Sequence, residues 1–339
     1  MNAKTPSTRT LASAAAILGT VLIAGAHAQT ITVGADQIGG LTNVTSSTVA
    51  KVVSQNTPMT ARTRVYGSGA EAWLPDLDAG RLDLGTHFSA TVWLAHNKID
   101  SNLELKNLRL IRSTAGTLLL GFVVKADSDV QRVSQLKGKR VAGSYPGQPI
   151  MRRLAGGVME AHGIGWNDVT MIPVVAAVEG ARAFQDGRVD SAWFAIATPL
   201  TREIHSKTPI RFLDLDMTPE RLKLAHEKIF PGVVATRFQG DLPWAKRGTQ
   251  LLTYELYVLA SSHTKDDVVA AAVKAMWESD QEMMKAHISM GGFTNAAAVT
   301  DRPVIPYHPA AIAFYKEKGV WTAAAEAAHK ALLAKATAR

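Results

Sequence analysis

The chain reads as an α/β protein of two lobes with a ligand cleft between them and a helical C-terminal region. Three features predict this: two runs of alternating strand and helix patterns, two consecutive strand-like segments between those runs, and a long extended stretch late in the chain. Alternating short β-rich and helical segments are the rhythm of βαβ units around a parallel sheet. A break followed by a restart is the pattern of a chain crossing into a second sheet.

The first 28 residues read as an export signal, with Lys4 and Arg9 as a basic start, Leu11 to Gly25 as a short apolar stretch, and Ala26-His27-Ala28 as the cleavage site. The apolar stretch falls short of the roughly 20 residues that span a bilayer. The exported chain is expected to begin at Gln29 and to reside in the periplasm. Of the formal +8 charge, about +6 remains once Lys4 and Arg9 are removed, spread along the sequence without a basic stripe interleaved with aromatics. Nucleic-acid binding therefore gains no support, while a mild basic excess would suit attraction of anionic solutes. The absence of cysteine excludes disulfides, thiolate zinc sites and a cysteine nucleophile.

The first unit runs from Ile31 to Ala35 as strand, Thr42 to Ser54 as helix, Thr63 to Tyr66 as strand, Ala70 to Leu77 as helix and Leu82 to Gly85 as strand. Leu108 to Ile111 and Leu118 to Lys125 then follow with no helix between them, as a crossover would. The second unit restarts with Arg140 to Ala142, Ile150 to Ala161, Val169 to Ile172, Ala176 to Asp186 and Ser191 to Phe194. Gln250 to Ala260, alternating Leu252, Tyr254, Leu256 and Val258, would carry the chain back. Lys265 to Ala286 and the alanine-rich Trp321 to Ala338 read as helices, with Met276, Met283 and Met284 filling core. The expected lobes are residues 29–120 with 245–339, and residues 121–244.

Ligands in open α/β sheets sit outside the carboxyl ends of the strands. Three glycine-containing loops fall there: Gly39-Gly40, Gly67-Ser68-Gly69 and Ser144-Tyr145-Pro146-Gly147, each able to turn backbone N–H groups toward a polar ligand. Around them the candidate ligand-binding residues are Gly40, Thr42, Asn43, Gly67, Ser68, Gly69, His87, Ser89, Tyr145, Gln148 and Trp193. Asn43, Ser68 and Ser89 are expected to hold the ligand on the first lobe, and Tyr145, Gln148 and Trp193 to cover it from the second. The remaining carboxylates read as mostly solvated. No catalytic constellation, metal-ligand spacing or cofactor fingerprint emerges, so no catalytic residue, metal or cofactor is expected.

Several motifs carry a resemblance. Val124-Lys125-Ala126-Asp127-Ser128, Leu136-Lys137-Gly138-Lys139-Arg140-Val141 and Pro146-Gly147 are followed by Asp186-Gly187-Arg188-Val189-Asp190 with Phe194. Ile305-Pro306-Tyr307-His308-Pro309 and Tyr315-Lys316-Glu317-Lys318-Gly319 complete the series. In this order they resemble the TAXI-type solute-binding subunits of TRAP transporters, from about Ile31 to Trp321. The resemblance implies a type II-like periplasmic-binding-protein fold and a monomeric receptor without catalysis of its own. It also implies closure around an organic acid or amino acid, and delivery of that solute to the membrane subunits of a TRAP transporter. The chain departs from that pattern at Thr42 and Asn43, where an aromatic pair is usual, and at Gln148-Pro149-Ile150, where small hydroxyl residues are usual. Pro149 offers no N–H, so Gln148 and Arg152 would have to supply donors by side chain. A periplasmic enzyme, with His87 as its titrating group, and a sensory adaptor stand as the alternatives on the same scaffold.

Overall fold

The computed structural model describes Met1 and residues 29–38, 41–67, 70–99, 103–287 and 290–337. The export signal expected over residues 1–28 falls outside the described residues apart from Met1, and so do the candidates Gly40, Ser68 and Gly69.

The first sheet is built from β1 (Thr30–Ala35), β2 (Thr60–Val65), β3 (Leu84–Phe88), β4 (Leu108–Arg112) and β12 (Leu256–Ser261), in the order β2-β1-β3-β12-β4. β1 runs parallel to β2 and β3, and β12 runs antiparallel to β3 and β4. Helices α1 (Leu41–Asn56), α2 (Ala70–Asp78) and α3 (Ser89–Asn97) follow β1, β2 and β3, so all three begin at the same edge of the sheet. α3 has no counterpart in the sequence reading, because Ser89-Ala90-Thr91-Val92-Trp93-Leu94 places apolar residues almost continuously and hides the helical period.

The second lobe holds β5 (Leu120–Lys125), β8 (Ala192–Ala195), β9 (Ile210–Phe212), β10 (Val234–Arg237) and β11 (Gln250–Thr253), with β5 pairing β8, β9 and β11. β6 (Arg140–Ser144) and β7 (Thr170–Val174) form a parallel pair, joined to this lobe by a bridge from Val141 to Ser191. α4 (Pro149–Ala161) follows β6, α5 (Ala177–Gln185) follows β7, and α6 (Pro199–Lys207) follows β8. α7 (Pro219–Lys228) packs against α4.

Two segments cross between the sheets, one from β4 to β5 and one from β11 to β12. The extended run from Gln250 to Ala260 is therefore two strands in two sheets, parted at Tyr254 and Glu255, and residues 250–253 pair with the second sheet although the expected boundary lay at 245. The crossing segments are stitched together by Thr114, whose Oγ1 donates to the Leu256 carbonyl (3.0 Å) and accepts from the Leu256 N–H (3.2 Å). They also meet at Gly116, where a Cβ would overlap Thr253 Oγ1.

The C-terminal region returns to the first lobe. α8 (Asp266–Glu278) packs against α1, β4 and α10 (Pro309–Glu317), and α9 (Asp280–Ala286) packs against α1. The single helix expected over residues 265–286 is broken at Ser279, after which Asp280 and Glu282 place negative charge in the first turn of α9. α11 (Ala323–Thr337) closes the chain, with its His329 Nδ1 accepting from the Tyr307 N–H at 3.2 Å.

Candidate functional site

A cavity of about 530 Å³ lies between the lobes. Its first-lobe wall is built from the ends of β1 and β3 and from the starts of α1, α2 and α3. Pro146, Gly147, Gln148 and the start of α4 face it from the second lobe, and Leu118 and Tyr254 of the crossing segments lie between. This is the position at the carboxyl ends of parallel strands where α/β sheets receive ligands.

The wall is organised around Asp36, the residue after β1, which is buried to 9 % exposure. Its Oδ1 accepts from Trp73 Nε1 (2.7 Å), and its Oδ2 accepts from Thr42 Oγ1 (2.5 Å) with His87 Nε2 at 3.4 Å. Asn43 Nδ2 donates to the Asp36 carbonyl (2.8 Å), tying the first turn of α1 to the end of β1. Burial alone would raise the carboxyl pKa; the hydrogen bond and charge of His87, with the donors Thr42 and Trp73, outweigh it and lower the value to about 2. Asp36 is therefore an ionised carboxylate in the cavity wall at neutral pH.

Trp73 reaches Asp36 because the sheet beneath it is bare. A Cβ on Gly34 would stand 2.8 Å from Trp73 Cε3, and one on Gly85 would overlap the indole outright, so glycine at both strand positions lets the ring lie across β1 and β3. Ser46 of α1 adds a polar seam below, with its Oγ donating to the Gly34 carbonyl and lying 2.8 Å from Thr86 Oγ1.

On the second lobe the turn after β6 is held in an uncommon backbone conformation. Ser144 and Tyr145 both have positive φ, 73° and 53°, outside the region that side-chain-bearing residues favour. The turn is locked by the Gln148 N–H to the Tyr145 carbonyl and the Gly147 N–H to the Val175 carbonyl, both at 2.9 Å. Gln148 Oε1 accepts from the Ala177 N–H at the start of α5 (3.0 Å), leaving its NH₂ as the polar end available to the cavity.

Of the candidates chosen from sequence, Thr42, His87 and Gln148 line this cavity. Asn43 bonds the Asp36 carbonyl and is not among the lining residues. Ser89 is fully buried at the start of α3, its N–H on the Glu255 carbonyl (2.9 Å), and Gly67 lies after β2 away from the lining. Trp193 is fully buried inside the second lobe, edge-on to Phe122 with ring centroids 4.9 Å apart. That burial, and its absence from the cavity lining, make it a core residue rather than a cover for the cleft. Tyr145 is also fully buried and borders a separate hollow with Arg152, Arg153 and Lys228, so Arg152 does not supply the cleft. Asp36, Glu71, Phe88, Thr91 and Tyr254 are lining residues missing from the sequence reading. The available signal for Asp36 was a lone acidic residue closing a strand just before a Gly-Gly turn.

Most of the motif residues act on the frame. Asp190 accepts from the Arg140 N–H (2.8 Å) and from Arg140 Nη2 (2.6 Å), tying the end of the second unit to β6. His308 Nδ1 accepts from the Ala310 N–H at the start of α10, and Tyr315 Oη donates to the Ile111 carbonyl (2.8 Å). Only Pro146 and Gly147 among them reach the cavity.

A family model for the NMT1-like family matches residues 34–319, most of the chain. The chain belongs to the NMT1-like family. Among solved structures it is similar to a TctC solute binding protein from Polaromonas, at 13% identity and a TM-score of 0.54, with 79% of this chain and 88% of that one covered. It is also similar to the periplasmic aliphatic sulphonate binding protein SsuA from Escherichia coli, at 18% identity and a TM-score of 0.46, covering 85% and 83% of the two chains. At these identities the Polaromonas likeness shows the fold alone, and it matches the two-lobed α/β arrangement expected from sequence. Among the described residues no helix is long and apolar enough to cross a membrane, and no cluster of His, Asp and Glu could hold a metal ion.

Proposed function

We propose that this NMT1-like protein is a periplasmic receptor that captures a small solute between its lobes and delivers it to a membrane transporter of the TRAP type. The observation that carries this reading is the cavity itself: both lobes wall it, two stitched segments cross beside it, and Asp36, His87 and Gln148 bring polar groups to it. Hinge motion about the crossing segments would open and close such a space. The motif resemblance to TAXI-type subunits supports the choice of transporter, and the fold shared with the Polaromonas solute binding protein supports the receptor class.

The test is a thermal-shift screen of the purified protein against organic acids, amino acids, amines and neutral polar metabolites, with each hit analysed by mass after incubation. Binding to the native state raises the melting temperature by mass action. A receptor returns its ligand unchanged. Conversion of the hit would replace this reading with an enzyme that uses the paired His87 and Asp36.

A further inference from the structure

We propose that the cleft selects a compact organic cation, an amine or quaternary ammonium group on a partly apolar body, and rejects organic anions. This deepens the receptor reading above and rests on it.

Charge is segregated around the turn at Pro146 to Pro149. On one side, the described residues lining the interlobe cavity include two carboxylates, Asp36 and Glu71, and neither Arg nor Lys. On the other side, the separate hollow of the second lobe takes Arg152, Arg153 and Lys228. The basic excess of the chain is thus kept out of the space that a solute would enter.

Helix starts are the usual alternative source of positive potential for an anion, and here three of them are already committed. At α1, Thr42 in the first turn donates to Asp36. At α2, Glu71 stands in the first turn and is exposed at the cavity. At α4, Pro149 has no N–H to give, and the Met151 N–H is already bonded to the Gln148 carbonyl (2.9 Å). An arriving carboxylate or sulfonate would meet carboxylates at two of these helix starts.

His87 supplies an independent sign of a missing partner. It is nine-tenths buried in the same wall, with Nε2 facing Asp36 and Nδ1 buried without a hydrogen-bond partner. When the imidazole is neutral and donates Nε2–H to the carboxylate, Nδ1 carries the lone pair and accepts from a donor on the ligand, an N–H of an amine or an O–H beside a quaternary ammonium. The apolar body has its own surfaces in Leu74, Phe88, Leu94, Ile150, Met151 and Tyr254, two of them aromatic, the side-chain type that attracts a cation.

The experiment is calorimetric titration of the purified protein at low and high salt with choline, benzylamine and putrescine. The comparison ligands are 3,3-dimethyl-1-butanol, which is the uncharged isostere of choline, and the anions benzoate, glutarate and ethanesulfonate. At least one cation is expected to bind, at least tenfold more tightly than any neutral or anionic probe. Glu71→Gln, an exposed substitution that leaves the fold intact by circular dichroism, is expected to weaken that cation at least threefold and to flatten its salt dependence. Binding confined to anionic or neutral compounds, among these probes or in the wider solute screen, would overturn the cation assignment and leave the receptor reading standing. Cation binding indifferent to both Glu71→Gln and salt would also overturn it. No binding by any compound in either set would remove the receptor reading with it.

Discussion

Replacing Asp36 by Asn tests the organisation of the cleft wall through a single carboxylate. Its pKa is lowered from the ordinary 3.8 to about 2, although burial pushes the other way, because His87, Thr42 and Trp73 stabilise the charged form. At about 1.4 kcal/mol for each tenfold change in proton affinity, that lowering corresponds to about 2 kcal/mol of folding stability. A depressed carboxyl pKa contributes stability that is fully present above the unfolded-state value and is lost as pH falls through the folded-state value. The contribution should therefore be intact at about pH 6, reduced by about 1 kcal/mol at about pH 3, and mostly gone below about pH 2. Urea unfolding of the wild type and Asp36→Asn from neutral pH down to about pH 3 reads this directly, because titrating groups away from the site cancel in the difference between the two proteins. The gap is expected to be about 2 kcal/mol at neutral pH with unchanged m-values, and to narrow steadily below about pH 4. A gap that stays constant across the acid range would refute the assignment of Asp36 as a charge held by its donors.

Gly85→Ala sets a methyl group into the Trp73 indole and is expected to cost about 1–3 kcal/mol in urea unfolding. Trp73→Phe keeps most of the packing but removes the donor to Asp36, and should raise the Asp36 pKa measured by NMR titration. Trp193→Ala should cost about 3–5 kcal/mol of stability through the cavity it leaves, while Gln148→Ala should leave the melting temperature nearly unchanged and weaken solute binding; calorimetry and thermal melts separate the two. Gly116→Ala pushes the crossing segments apart at Thr253, and small-angle scattering should show a changed radius of gyration in the unliganded protein.

The fold was legible where periodicity is strong. β1 and the consecutive strands near residues 108–125 follow from short β-rich runs, and the extended run near residue 250 from alternation of apolar residues; together they imply two sheets joined by crossing strands. Helix α3 and the elements between residues 199 and 237 were not, since α3 is apolar nearly all round, α6 and α7 bury only Thr201, Ile204 and Ala225 and so show little apolar period, and β9 and β10 are short. The site was less legible for a geometric reason. Asp36 meets Trp73 and His87 only after two βα units have brought positions 37 and 51 residues away into one wall, and nothing local marks it as buried. Trp193 misled in the opposite direction: an aromatic at a strand end reads the same whether it faces the cleft or the interior, and its full burial against Phe122 settles the matter. Gln148 and His87 stand at strand-to-helix junctions, which is why sequence reasoning could name them among the residues that line the cavity.

Closure of the two lobes on a bound solute is the central claim, and small-angle X-ray scattering with and without the strongest hit of the thermal-shift screen tests it most directly. Saturation is expected to contract the radius of gyration with one solute bound per chain. An unchanged radius of gyration at full saturation would contradict a hinged receptor, whatever the solute proves to be.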